Sequence, residues 1–152
     1  MVESYERLAS RLPFQVRRRV RWSECDPAGV VYTGKFVEFM LGAVNLFWAN
    51  LDEGSFRHFA GELGIDTPCR GLQMDFRSAL WPDDEFTINV HVGEIRTSSF
   101  DLEIRALRDD GREVFVGKFS PICIPRGGPR QAAAIPDKLR ELLAPHQLAA
   151  ET

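Results

Sequence analysis

One stretch of the chain is apolar on almost every side of a helix. Its apolar residues recur at the i, i+3, i+4 and i+7 spacing of an amphipathic helix; they are Phe36, Phe39, Met40, Ala43, Val44, Phe47, Trp48 and Leu51. The opposite side also carries apolar residues, namely Val37, Leu41, Gly42 and Leu46. A helix with so little polar surface must be covered by the rest of the chain. We expect Gly42 to lie where this helix approaches a sheet closely.

Downstream of residue 68, apolar residues recur at every second position, as they do in half-buried strands. The apolar faces of three predicted strands are Leu72, Met74 and Phe76; Phe86, Ile88, Val90 and Val92; and Phe100, Leu102, Ile104 and Ala106. A fourth strand is predicted over residues 113–124, after the hairpin turn at Asp109, Asp110 and Gly111. These strands follow one another directly, which favours an antiparallel sheet.

A further strand is predicted before the helix, over residues 15–22. One face of it carries three apolar residues, Val16, Val20 and Trp22. The other face carries three arginines, Arg17, Arg19 and Arg21. Arg18 breaks this alternation. We interpret the arginine face as solvated surface rather than a ligand site.

The order of strand, long helix and four strands predicts an α+β fold, with one buried helix on the concave face of a curled antiparallel sheet. Pro136 is expected to open a short C-terminal helix at about 136–148, since proline is tolerated in the first turn. With 152 residues and no repeats or linkers, we expect one domain over 1–152, with its core at about 15–125.

Composition excludes several classes of function. The net charge of −3 does not favour a nucleic-acid partner, which requires a basic face. No apolar run approaches the roughly 20 residues that span a membrane. The scattered cysteines, Cys25, Cys69 and Cys123, indicate a reducing compartment, so we expect a cytoplasmic protein. The histidines, His58, His91 and His146, have no partner at a metal-ligand spacing, and we expect no metal site.

Asp26 is the first candidate catalytic residue. It lies in the loop Asp26-Pro27-Ala28-Gly29, after a predicted strand and before the start of the buried helix. Unpaired N–H groups and the positive end of the helix dipole lie at such a start. A carboxylate beside aimed N–H donors is what acyl transfer needs, because one part activates or attacks and the other stabilises the oxyanion. The alternative is that the Asp26 side chain only starts a turn.

The run at residues 22–39 reads Trp-Ser-Glu-Cys-Asp-Pro-Ala-Gly-Val-Val-Tyr-Thr-Gly-Lys-Phe-Val-Glu-Phe. It resembles the signature of the 4-hydroxybenzoyl-CoA thioesterase family, in which an Asp-Pro-x-Gly loop and an aromatic residue precede the long helix. The element order from about residue 15 to residue 124 is similar to the hot-dog fold of that family. The resemblance therefore implies a hot-dog acyl-CoA thioesterase over roughly four-fifths of the chain.

By position, the resemblance assigns the catalytic carboxylate to Asp26 and the N–H that polarises the thioester carbonyl to the helix start near Thr33 and Gly34. The carboxylate acts in the family either as a nucleophile or as a base, and both roles stay open. Trp22 and Tyr32 flank the loop and are candidate contacts for the acyl group. This chain departs from many relatives at Thr33 to Phe36 and at Leu41, which affects the shape of the acyl pocket.

A second matching stretch precedes the penultimate strand. In the family, basic residues there contact the phosphates of coenzyme A, and the match places Arg96, Ser98 and Ser99 in that role. Thr97 and Ser98 stand where the 4-hydroxybenzoyl-CoA enzyme is more basic, but hydroxyl and N–H groups also bind phosphate. The alternative is an ordinary polar turn.

Glu38 is the rival catalytic carboxylate, because another branch of hot-dog thioesterases uses a glutamate on the helix. The alternative is a solvent-facing acid near the helix start, where the dipole favours negative charge.

The sequence thus predicts an enzyme that hydrolyses an acyl-CoA, without cofactor or metal, to a free acid and coenzyme A. The acyl group is either aryl, as in 4-hydroxybenzoyl-CoA, or alkyl. Two alternatives are a thioesterase for acyl carrier protein and a non-catalytic acyl-CoA-binding module. The resemblance implies a homo-oligomer, a dimer or a dimer of dimers (a homotetramer), because hot-dog sites form between subunits.

Overall fold

Six antiparallel strands form the main sheet of the chain. The computed structural model describes residues 4–52 and 56–148, with the backbone alone for 56–59. The strands are β1 (Glu6–Arg11), β2 (Phe14–Arg19), β4 (Cys69–Phe76), β5 (Glu85–Ile95), β6 (Phe100–Arg108) and β7 (Glu113–Pro121). Their spatial order is β1-β2-β5-β6-β7-β4. Two short strands, β3 (Ile65–Asp66) and β8 (Ile124–Pro125), pair separately.

One long helix, α1 (Thr33–Leu51), packs on a face of this sheet. Its eight buried residues are those of the predicted apolar stripe. The rings of Phe39 and Phe86 lie 5.5 Å apart, and those of Trp48 and Phe100 lie 5.7 Å apart, so α1 is seated over β5 and β6. This arrangement confirms the predicted α+β class and the hot-dog fold.

The remaining helices are shorter. They are α2 (Phe56–Leu63) and α3 (Asp137–Leu143), and α3 continues into a 3-10 turn, Ala144–His146. Within residues 4–52 and 56–148, no helix is long and apolar enough to cross a membrane. The single domain over 1–152 stays a prediction.

The N-terminal strands differ from the prediction. Strand β1 was not predicted, and β2 ends at Arg19, so Trp22 does not continue its apolar face. Trp22 begins a 3-10 turn, Trp22–Glu24, and is 83% exposed, because the chain leaves the sheet before reaching it. Arg18 does not break the alternation, since it points inward beside Val16 and is buried.

Two glycines lie where α1 and the sheet approach each other, Gly42 on α1, as predicted, and Gly117 on β7. A Cβ built on Gly42 meets the Glu6 carboxylate of β1. A Cβ built on Gly117 meets Met40 of α1 and the carbonyl oxygen of Gln73 on β4. Because Gly117 has no side chain, the Met40 side chain of the helix can pack against β7 at this position.

Candidate active site

The Asp26 loop is held by its own backbone. The Asp26 N–H donates to the Val30 carbonyl oxygen at 2.8 Å, and the Gly29 N–H donates to the Asp26 carbonyl oxygen at 2.9 Å. Gly29 has φ +85°, a conformation that side chains rarely adopt. Because the loop closes on itself, it fixes the backbone from which the Asp26 side chain projects.

Asp26 is half-buried as a residue, and its carboxylate forms the turn that the sequence suggested. Its Oδ1 accepts a hydrogen bond from the Ala28 N–H at 2.9 Å. One oxygen therefore orients the carboxylate. A carboxylate accepts hydrogen bonds through both oxygens, so Oδ2 can still accept one while Oδ1 is held in the turn.

Helix α1 begins at Thr33, two residues after Val31, which pairs with Cys25 across the loop. Asp26 and the helix start thus belong to one short connected unit. Tyr32 is the N-cap residue and makes no side-chain capping bond, so the helix keeps first-turn N–H donors for another acceptor. The role of Thr33 and Gly34 as donors to the thioester carbonyl stays a prediction.

The Tyr32 ring covers the first turn. A Cβ on Gly34 would lie 2.7 Å from Cε2 of that ring, so a side chain at this position would displace the ring. The Lys35 ammonium lies 5.7 Å from the ring centre. Tyr32 remains 45% exposed and presents an aromatic surface beside the N–H donors.

A groove of about 310 Å³ opens beside the helix start. Its lining residues are Val31, Thr33, Phe36, Phe76, Arg77, Ser78 and Ala79. The rings of Phe36 and Phe76 lie 5.4 Å apart, so one wall is aromatic. Phe76 was not predicted as a site residue. The pattern that points to it is an aromatic residue at the end of a strand whose side chains are mostly exposed.

Glu38 lies on the outside of α1. Its carboxylate accepts from the Lys35 ammonium at 2.7 Å, an i,i+3 pair, and its side chain is 59% exposed. Hydrogen bonding to Glu38 raises the pKa of Lys35. This exposed ion pair matches the solvent-facing alternative for Glu38.

Arg96 lies at the β5–β6 turn and already binds carboxylates. Its guanidinium donates to both oxygens of Asp101, at 3.0 and 2.8 Å, and to Glu94 at 3.1 Å. Asp101 is buried and also accepts from the Ser120 hydroxyl at 2.7 Å. The Arg96 hydrogen bonds hold the pKa of Asp101 below its usual value, with a smaller contribution from Ser120. A phosphate would therefore have to share Arg96 with these acids.

Ser98 and Ser99 accompany Arg96 at this turn. Ser98 is half-buried, and its carbonyl oxygen accepts from the Cys123 N–H at 2.8 Å. Ser99 is only 6% exposed. The predicted residues thus form two groups: Asp26, Tyr32, Thr33 and Gly34 at the helix start, and Arg96, Ser98 and Ser99 at the turn.

A buried ion pair lies immediately before the Asp26 loop. The Arg18 guanidinium donates to Oε2 of Glu24 at 2.5 Å, and both side chains are about one-tenth exposed. Arg18 was interpreted from the sequence as a break in the strand, and Glu24 was not predicted as a site residue. The pattern that points to Glu24 is its position two residues before Asp26.

Burial shifts the pKa of several thiols and imidazoles among the described residues. Burial, followed by the nearby charges of Glu24 and Asp26, raises the pKa of the Cys25 thiol. Burial raises the pKa of Cys123 to about 11 and lowers that of His91. Within the described residues, no three side chains of His, Cys, Asp or Glu are grouped to hold a metal ion.

Comparison with known proteins identifies relatives of the chain. Residues 20–143 match the family model described as the thioesterase-like superfamily. A 1,4-dihydroxy-2-naphthoyl-CoA hydrolase of Thermosynechococcus vestitus is 27% identical over 123 residues, which cover 81% of this chain and 83% of that protein.

Solved structures share the fold. A thioesterase superfamily protein from Jannaschia sp. CCS1 is 29% identical with a TM-score of 0.76, and the match covers 88% of this chain and 93% of that one. A 4-hydroxybenzoyl-CoA thioesterase, solved as a mutant complexed with 4-hydroxybenzoyl-CoA, is 23% identical with a TM-score of 0.75. That match covers 85% of this chain and 96% of the other.

Proposed function

Because the chain belongs to the thioesterase-like superfamily, we propose that it hydrolyses an acyl-CoA to a free acid and coenzyme A, with Asp26 as the catalytic carboxylate. The family resemblance of residues 22–39 is confirmed by that membership, and the chain is a thioester hydrolase. The observation that most supports the proposal is the single unit formed by the Asp26 loop and the uncapped start of α1.

The chemistry needs both parts of this unit. Attack on a thioester carbonyl develops negative charge on the carbonyl oxygen, and first-turn N–H groups near Thr33 and Gly34 can stabilise it. The Asp26 carboxylate either attacks the carbonyl carbon, giving a mixed anhydride that water then cleaves, or removes a proton from an attacking water. In both routes, the departing group is the thiolate of coenzyme A.

The groove beside Thr33 is the proposed seat of the acyl group. Phe36 and Phe76 give it an aromatic wall, and aromatic side chains favour stacking or edge contacts with an aryl ring. The relatives named above act on 1,4-dihydroxy-2-naphthoyl-CoA and 4-hydroxybenzoyl-CoA, both aryl thioesters. We therefore propose an aryl-CoA as the preferred substrate class. Trp22 stays a proposed acyl contact, and Arg96, Ser98 and Ser99 stay proposed contacts of coenzyme A.

A homo-oligomer is part of the proposal. Strand β4 ends the sheet with an unpaired edge, and its Leu72 and Phe76 are 40% and 50% exposed. Proteins usually pair or cover such an edge. Pairing β4 with its copy would bury these side chains and bring a second subunit to the groove that Phe76 lines. Sedimentation equilibrium tests this, because a 17.2 kDa monomer at micromolar concentration would contradict it.

The substrate class is tested by following thiol release from a panel of thioesters. The panel contains 4-hydroxybenzoyl-CoA, benzoyl-CoA, hexanoyl-CoA, palmitoyl-CoA and hexanoyl-acyl carrier protein. We expect the highest kcat/KM for the aryl-CoA substrates. Turnover of the carrier-protein substrate alone would contradict the choice of coenzyme A, and binding without hydrolysis would indicate an acyl-binding module. Cys69 is exposed and Cys25 is half-buried, so the reaction of the protein's own thiols with the reagent is measured without substrate and subtracted.

A further inference from the structure

Arg18 and Glu24 connect three parts of the fold around the Asp26 loop. Arg18 projects inward from β2, and its guanidinium carbon lies 4.8 Å from the centre of the Phe39 ring on α1. The guanidinium also donates to the carbonyl oxygens of Tyr5 and Arg19 and to the Glu24 carboxylate. One cation thus contacts the N-terminal segment, the buried helix and the turn before Asp26.

Glu24 uses its two oxygens in different directions. Oε2 accepts from Arg18, and Oε1 accepts from the backbone N–H of Arg21 at 2.7 Å. The carboxylate therefore closes the 3-10 turn and attaches it to the strand. Two residues later the backbone of Asp26 enters its own loop, so the position of Glu24 sets where that loop begins.

The energetics do not favour a purely stabilising role. Removing two charges from water costs several kcal/mol per ion, and well-packed apolar residues usually replace a buried pair without loss of stability. The ion pair instead fixes the relative position of its partners, because Arg18 forms hydrogen bonds only with acceptors at the correct angle and distance. It lies between the two elements whose relative placement matters for hydrolysis, the Asp26 loop and α1.

We propose that Arg18 and Glu24 are positioning residues, which hold the Asp26 loop in register with the start of α1. The proposal rests on the proposed function of Asp26. Neither side chain touches substrate; each acts through the placement of the Asp26 carboxylate. A displacement of about 1 Å between reacting groups can cost on the order of 100-fold in rate.

The test is the double variant Arg18→Met/Glu24→Gln. It removes both charges together, and the glutamine carbonyl can still accept from the Arg21 N–H, so we expect a folded protein with a melting temperature near that of wild type. We expect kcat to fall about 10- to 100-fold, with KM changed less than about threefold, because substrate contacts are intact. If the double variant does not fold, Arg18→Lys, which keeps both charges and changes only the donor geometry, is measured for the same pattern.

The control is Arg17→Met/Asp109→Asn, which removes an ion pair from the outward face of the same strand, joined at 2.6 and 3.0 Å. It should leave kcat and KM at wild-type values. A folded Arg18→Met/Glu24→Gln enzyme with wild-type kcat would overturn the proposal, as would an equal loss of kcat in the control.

A second readout separates positioning from general weakening of the fold. In an Asp26→Asn enzyme the Arg18 and Glu24 changes should cost less than about twofold, since positioning acts only through the carboxylate that is already lost. The same fold-loss on both backgrounds would contradict positioning. An active Asp26→Asn enzyme would overturn the proposed function and this inference together, whereas an inactive one beside an active pair variant overturns this inference alone.

Discussion

Gly117→Ala tests how α1 is seated on the sheet. The new methyl group would lie 2.1 Å from Cε of Met40 and 2.7 Å from the carbonyl oxygen of Gln73. Both distances are shorter than real side chains show. The Met40 thioether end can rotate away, but the Gln73 oxygen belongs to the backbone of β4. Strand β4 or β7 must therefore shift.

The expected size of the effect comes from two opposing contributions. Overpacking of this kind typically costs about 1–3 kcal/mol. Replacing glycine also restricts the unfolded chain, which returns about 0.4–1 kcal/mol. The net expectation is a loss of about 1–2 kcal/mol in the free energy of unfolding, or about 2–8 °C in Tm for a chain of this length.

Equilibrium denaturation by urea, followed by tryptophan fluorescence, measures this loss. Gly71→Ala is the matched control on β4, where a Cβ would meet no atom within 4 Å. That control should be as stable as wild type or slightly more stable. A Gly117→Ala protein as stable as wild type would refute the close approach of Met40, Gly117 and Gln73.

Three further changes test the core and the β5–β6 turn. Phe47 is 1% exposed and packs edge-to-face on Phe14 at 5.2 Å, so Phe47→Ala should cost about 3–5 kcal/mol in urea unfolding; a loss below about 1 kcal/mol would contradict the buried helix. Asp101 has a lowered pKa in the folded state, so its contribution to stability is present above the unfolded pKa of about 3.9 and is lost as pH falls through the lower folded pKa. Asp101→Asn should therefore flatten the dependence of unfolding free energy on pH below about pH 4, and an unchanged slope would contradict this. Arg96→Ala should raise KM more than it lowers kcat, whereas a collapse of kcat at constant KM would move Arg96 into the chemical step.

The long helix and the central strands could be predicted because buried residues recur along each element at its own regular spacing, without interruption. On β5, Phe86, Ile88, Val90 and Val92 are all fully buried, as the period of two indicates. Strand β1 was missed because it is a short edge strand with half-buried and exposed residues in alternation. Such a strand carries too little apolar pattern to distinguish it from a solvated segment.

The sequence could group candidate site residues only where they lie close along the chain. Asp26, Thr33 and Gly34 share one loop-to-helix unit, so local pattern and resemblance proposed them together, and their roles stay predictions. The groove joins Phe36 to Phe76, forty residues apart, through a strand pairing that no local pattern records. Arg18 was misread for a similar reason, since its burial depends on an acid in the following turn.

The central claim is that Asp26 carries the chemistry of thioester hydrolysis. Asp26→Asn keeps the side-chain oxygen that accepts from the Ala28 N–H, so the loop should survive. We expect kcat toward the best aryl-CoA substrate to fall at least about 100-fold, with that substrate still bound. Glu38→Gln, which breaks only the exposed pair with Lys35, should leave kcat nearly unchanged. An active Asp26→Asn enzyme beside an inactive Glu38→Gln enzyme would contradict the account and assign the role to the helix carboxylate.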